Sequence, residues 1–260
     1  MKLHIVPART GWLWVRLGLR TFWQQPLALS GLFFLFITVM SLASLLPWLG
    51  NALALGLLPA ATLGLMAATR EASLGKFPMP AVLLSAWRAG QQQRRAMMVL
   101  GGLYALGFLL VLGISALFDG GSFARLYLVG GTLTRELVES PAFQTASWVA
   151  MALYLPLSLL FWHAPALVHW HGVPTVKSLF FSLVACLRNI AAMVVFLLGW
   201  MLIFCGVGLA LMLLSLLLGQ PGLLVNVMYP ASMVLAAMFF SSIYFSFRDS
   251  FITDEAQTPD

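Results

Sequence analysis

Uncharged apolar runs, each about 20 residues or longer, recur six times along this chain, with short polar segments between them. The windows are 27–46, 51–69, 96–118, 146–168, 190–218 and 223–247, and none contains Lys, Arg, Asp or Glu. A hydrocarbon core of about 30 Å takes about 20 apolar residues to cross as a helix, so each window predicts one span. The fifth is long enough to tilt or to begin in the interface. Helices are required because every backbone N–H and C=O within lipid needs an internal partner. The runs also lack the short alternation of a membrane barrel. The expected fold class is all-α: a polytopic membrane helix bundle.

Between the runs the pattern repeats as three hairpins, at about 9–70, 80–171 and 174–248. Each opens with a basic amphipathic segment, at 9–25, 80–95 and 174–189. On a helical wheel Arg9, Arg16 and Arg20 fall within about 40° of one another, while Trp12, Trp14, Val15, Leu19, Phe22 and Trp23 cover much of the rest. That is the pattern of an interfacial helix with charges at the headgroups and aromatics in the acyl boundary. Arg88 and Arg95 mark the second segment, and Lys177 and Arg188 the third. Each segment feeds a proline-free span, which returns through a span with an interior proline: Pro59, Pro156 and Pro230. These are expected helix breaks whose freed carbonyls must be covered by neighbours. An insertion at about 119–145 lengthens the middle hairpin, with a short helix expected around 133–139 and Ser140-Pro141 opening span four. In span two, Ala52, Gly56, Ala60, Gly64 and Ala68 recur every fourth residue, a small-residue stripe that lets another backbone approach closely.

Composition agrees with lipid as the solvent. Of 260 residues, 61% are hydrophobic and 8% charged, against about 25% charged in a soluble domain. The basic residues set the orientation. With the N-terminus inside, Lys2, Arg9, Arg16, Arg20, Arg70, Lys76, Arg88, Arg94, Arg95, Lys177, Arg188 and Arg248 are cytoplasmic, and only Arg125 and Arg135 lie outside. Both termini are then cytoplasmic. The organisation read from this is one integral membrane domain over 1–248 and a mobile polar tail at 249–260. Trp48 is expected at an outer turn.

Candidate chemistry is sparse. The run from Phe161 to Gly172 holds His163, His169 and His171. Histidine titrates near neutrality and ligates transition metals, so one reading is a metal site or pH sensor at the inner mouth. The other is aromatic–histidine anchoring at the interface. The spacing favours anchoring, because His169 points away from the other two on a regular helix and no carboxylate stands nearby. No cofactor is expected. The spans carry no ionised group of the kind that coupled transporters place near the midplane. There is no phosphate-binding glycine loop, no paired carboxylates at a mouth of the bundle and no Gly-x-Ser-x-Gly, so no enzyme is expected. Basic residues strung along one membrane face read as topology determinants and contacts to anionic lipids, not to nucleic acid. The lipid-surface set is Arg9, Arg16, Arg20, Arg88, Arg94, Arg95, Lys177 and Arg188. Cys186 and Cys205 supply no disulfide framework.

Three stretches carry a resemblance: Pro7-Ala8-Arg9-Thr10-Gly11-Trp12, Leu58-Pro59-Ala60-Ala61-Thr62-Leu63-Gly64-Leu65, and Trp162-His163-Ala164-Pro165-Ala166-Leu167-Val168 on through Lys177-Ser178-Leu179-Phe180. Over most of its length the chain resembles a family of uncharacterised bacterial six-span inner-membrane proteins known by a locus-style label. More distantly it is similar to the membrane domain that accompanies some glycerophosphodiester phosphodiesterases, whose soluble catalytic barrel is absent here. The resemblance implies a bacterial inner-membrane location and no catalytic residues.

The function expected is a non-enzymatic scaffold or regulator acting at the cytoplasmic membrane face, with anionic lipids or a partner protein. The alternative is a transporter or flippase of a hydrophobic or amphiphilic small molecule. The sequence does not fix an oligomeric state. A periplasm-active reporter fused at Gly120 should be active, and one fused at Gly75 silent. The reverse pattern would invert the orientation.

Overall fold

The computed structural model describes residues 2–46 and 49–252, apart from the side chains of 221, 223–225 and 252. Pro47 and Trp48, and with them the expected outer turn, lie outside the described residues, as does the tail beyond 252. In chain order the elements are β1 (Lys2–Leu3), α1 (Thr10–Gln24), α2 (Pro26–Ser44), α3 (Gly50–Ser73), a 3-10 turn (Pro80–Leu84), α4 (Ser85–Arg88) and α5 (Gln91–Asp119). There follow α6 (Ser122–Val129), α7 (Arg135–Glu139), α8 (Pro141–Phe161), α9 (Ala164–His171), α10 (Thr175–Arg188), α11 (Ile190–Leu217), α12 (Pro221–Ser250) and β2 (Phe251–Ile252). The protein is an all-α polytopic helix bundle. Among the described residues six stretches are long and apolar enough to cross a membrane: α2, α3, α5, α8 with α9, α11, and 226–250 of α12. The strands among the described residues are a two-residue antiparallel pair, with Lys2 opposite Ile252 and Leu3 opposite Phe251.

Outward-facing surface fits lipid as the solvent. On α11, Val194, Leu197, Leu198, Met201 and Leu202 all stand exposed. In water such a stripe would be an aggregation site.

By contact the chain divides into two compact units: Met1–Thr38 with Ala61–Arg88 and Val184–Asp260, and Val39–Ala60 with Ala89–Leu183. In the first, α1 lies lengthwise between α11 and α12. Gly11 sits so close to α11 that a Cβ would fall 2.0 Å from the Ala192 carbonyl oxygen, and Val15 reaches Gly199 one stretch further along. On the other side Trp14 meets Asp249, while a Cβ on Gly18 would fall 2.4 Å from that of Ser242. These pairs advance together, so α1 runs with α11 and against α12. The residues that make the seam, Gly11, Trp14, Val15, Gly18 and Phe22, recur at helical spacing and are buried. The Trp14 ring meets Phe196 edge-on at 6.0 Å, and Phe239 packs against Phe196, Trp200 and Phe240. Phe33 and Phe36 of α2 close on Phe240.

In the second unit α5 packs along α8, with Gly107 over Leu157 and Tyr104 edge-on to Phe161 at 5.0 Å. Gly56 of α3 faces Gly101 of α5, and a Cβ added to Gly101 would lie 2.1 Å from the Gly56 carbonyl oxygen. The small-residue stripe of α3 thus serves two seams, since Gly64, in the first unit, abuts the backbone of Leu83.

Three local arrangements differ from the sequence expectation. The second basic segment is not one helix: it is a 3-10 turn, the single turn of α4 and a break at Gly90, after which Arg94 and Arg95 ride on the first turns of α5. The insertion holds α6 as well as α7. Gly120 and Gly121 take left-handed backbone angles that other residues rarely adopt. The Asp119 carboxylate then accepts the N–H groups of Gly121 at 2.9 Å and Phe123 at 2.7 Å. That cap turns α6 back along α5, bringing Tyr127 within 5.2 Å of Phe108, well inside the span. Finally, α12 runs through Asp249 and Ser250 into β2, so ordered structure continues past Arg248.

Gly101→Ala should lower the thermal midpoint in detergent, by the roughly 1–3 kcal/mol of an overpacked seam. Gly102→Ala, with open space beside it, should leave the midpoint unchanged or slightly raised. Equal midpoints for the two variants would dissolve the Gly56–Gly101 contact.

Candidate functional site

Span four is interrupted between α8 and α9, at Trp162 and His163. Pro165 lies just beyond it, in the first turn of α9, and has no N–H to return to the Phe161 carbonyl. In a regular helix the His163 N–H would bond the Leu159 carbonyl. Here Ser182 of α10 stands between them. Its hydroxyl accepts the His163 N–H at 2.9 Å and donates to the Leu159 oxygen at 2.8 Å. A side chain has been spliced into the rung that the break opened. By contrast, helix continues through Pro59, Pro156 and Pro230.

His163 is buried at this break, while His169 and His171 sit half-buried in the last turn of α9. Among the described residues no group of three or more His, Cys, Asp or Glu is placed to hold a metal ion. Cys186 lies on α10 and Cys205 on α11, without a disulfide. Burial pushes the Cys186 thiol up to about 12, so it stays protonated near neutral pH.

The basic residues are placed differently. Arg9, Arg16, Arg20, Arg88, Arg94, Arg95, Lys177 and Arg188 are all exposed. Helix α1 carries Arg16 and Arg20, with Arg9 at its N-cap, opposite its buried seam, so protein packing fixes which way they point. Among its aromatics, Trp14 and Phe22 are buried against protein, and Trp12 and Trp23 face out.

The mounting of α1 is polar. The Trp14 indole N–H donates to Asp249 Oδ2 at 2.9 Å, and the other carboxylate oxygen of Asp249 takes Arg248 Nε at 2.8 Å. Arg248 also lies over the Phe245 ring at 5.0 Å. Asn189, buried between α10 and α11, holds the segment that precedes α1. Its Oδ1 accepts the Val6 N–H at 2.9 Å, and its Nδ2 donates to the His4 carbonyl at 3.0 Å. With the β1–β2 pair, this ties the N-terminal segment to the start of α11 and the end of α12.

Sequence reasoning missed Asn189, Asp249 and Ser182 in these roles. Each carried a faint signal. Asn189 is an amide between two apolar helices, Asp249 is an acid directly after the last span, and Ser182 faces a histidine-proline break from the next helix.

Over its whole length, and over 97% of the relative's, the chain is 40% identical to a Burkholderia thailandensis protein described as a probable inner membrane protein. No family model matches the chain, and no solved structure does. The likeness to the membrane domain of glycerophosphodiester phosphodiesterases finds no support in these comparisons.

Ser182→Ala removes the shared partner of two buried backbone groups, each worth about 1–3 kcal/mol when its bond is lost. Its thermal midpoint in detergent should fall clearly below that of Ser178→Ala, whose hydroxyl bonds its own helix at Thr175. Equal midpoints would mean that the splice does not support span four.

Proposed function

The chain belongs to the family of that probable inner membrane protein, and from this premise we propose that it organises or regulates a process at the cytoplasmic face of a bacterial inner membrane without catalysing a reaction. Anionic lipid is its first contact, and a partner protein is recruited to the same basic surface. The observation that carries this reading is the mounting of α1. One side is packed into α11 and α12, and the other presents Arg16 and Arg20 outward beside Trp12 and Trp23. A helix held in this way delivers charge to a headgroup layer without first having to fold there. Each arginine near an anionic surface contributes ~1 kcal/mol, falling off within a Debye length. The orientation that puts Arg9, Arg88, Arg94, Arg95, Lys177 and Arg188 in the cytoplasm belongs to the same proposal and follows the distribution of basic residues.

A second reading, a carrier or flippase for an amphiphilic molecule, draws support from the interruption at His163. Non-helical backbone at membrane depth is tolerated where it is buried in protein or lines a cavity. It predicts movement of a labelled lipid between leaflets of reconstituted vesicles; the organiser reading predicts none.

The main reading is tested by replacing Arg16, Arg20, Arg94 and Arg95 together with glutamine. In nanodiscs of mixed phosphatidylglycerol and phosphatidylcholine, the anionic lipid gathered around the protein should fall, and its dependence on salt should flatten. Unchanged enrichment would remove the lipid-surface proposal.

A further inference from the structure

The outward side of α1 is not a flat charged surface. Pro7, Arg9, Thr10, Trp12, Leu13 and Arg16 line a half-open hollow of about 380 Å³ at the surface. That lies within the size of small-molecule sites, roughly 300–1,000 Å³. Arg9, Leu13 and Arg16 stand at helical spacing on one face. Both cations therefore border the same hollow, with apolar surface between them. No carboxylate lines it, and among the described residues neither Arg9 nor Arg16 has an acidic partner. Two forked guanidiniums bordering one hollow match a phosphodiester, whose single charge is shared by two oxygens that accept from parallel N–H donors, and with no carboxylate beside them they disfavour a headgroup that adds a cation.

The rest of the lining is apolar, and it discriminates between sources of phosphate. Trp12 is 45% exposed and Leu13 43%, so both keep unused apolar area at the rim. An inorganic phosphate has no use for such a rim, whereas an acyl chain next to a headgroup does. The cavity is also held in shape before anything enters. Its helix is fixed by Gly11, Trp14 and Val15 on the opposite side, and Asn189 holds Val6, the residue before the lining Pro7. A site that need not order itself on binding loses less of its interaction energy.

We propose that this cavity holds one anionic phospholipid, its phosphodiester between Arg9 and Arg16 and its acyl region against Trp12 and Leu13. The proposal rests on the lipid-facing reading above and narrows it from a basic surface to a single stoichiometric site.

Native mass spectrometry of the full chain tests it, with phosphatidylglycerol or phosphatidylcholine added to the detergent. The wild type should retain one phosphatidylglycerol in preference to phosphatidylcholine. Arg9→Gln with Arg16→Gln should weaken that retention about tenfold or more, because two charge-assisted bonds are lost. Arg94→Gln with Arg95→Gln removes equal charge elsewhere and should keep the bound lipid. Both pairs alter exposed side chains and should melt as the wild type does. Equal loss in the two double variants would overturn the site while leaving face-wide lipid attraction intact. Equal retention of the two lipids would overturn the requirement for an anion. Displacement of the lipid by inorganic phosphate would assign the cavity to a soluble phosphate and overturn the lipid as its occupant. Absence of any retained anionic lipid, together with failure of the nanodisc enrichment, would remove both proposals.

Discussion

A peptide N–H or C=O left without a partner in hydrocarbon costs several kcal/mol, and that demand shapes the irregular parts of this fold as much as the regular ones. Long helices meet it by default. Where the chain departs from a helix, a named group steps in. Ser182 bridges the Leu159 carbonyl and the His163 N–H across the break in span four. Asp119 caps the first free N–H groups of α6 after the two glycines that reverse the chain. Asn51, at the start of α3, donates to the Leu128 carbonyl at the other end of α6. These are short polar side chains in an otherwise oily sequence, and each is spent on backbone.

Close packing adds a second constraint that glycine resolves. With little hydrophobic driving force between helices in lipid, association depends on contact and on hydrogen bonds. The seams of α1 with its neighbours use Gly11, Gly18 and Gly199, and that of α3 with α5 uses Gly56 and Gly101. Each brings one helix against backbone or aromatic ring. The Trp14–Asp249 and Trp200–Ser242 bonds then fix rotation about those seams.

How much of this could be read in advance follows from where the information lies. The spans were legible because an uncharged run of about 20 residues has one physical meaning. So was α1, since its arginines recur at helical spacing and the structure begins it at Thr10. What the pattern misassigned was the partner of its apolar side, which was expected to enter the acyl boundary and instead packs on α11 and α12. Tryptophan and phenylalanine opposite arginine suit a lipid boundary or a helix groove equally, and Trp14 and Phe22 take the groove. The retreat of α6 along α5 was encoded in Asp119-Gly120-Gly121-Ser122, but a cap and a turn give a reversal without saying what lies beneath. Ser182 was invisible because serine in a membrane helix commonly bonds its own turn, as Ser178 does. Only the neighbouring gap distinguishes the two. In the histidine segment the break falls just before α9, so His169 and His171 keep regular helical spacing while His163 stands at the N-cap.

The way α1 is seated also bears on biosynthesis. Its groove is made by α11 and α12, and the segment before it is tied to Asn189 and β2. Because α11 and α12 follow it in the chain, α1 finds its place only after both have been inserted. Until then the side bearing Trp14, Val15 and Phe22 lacks the two helices that bury it, so a chain cut short before α11 would leave that apolar side uncovered.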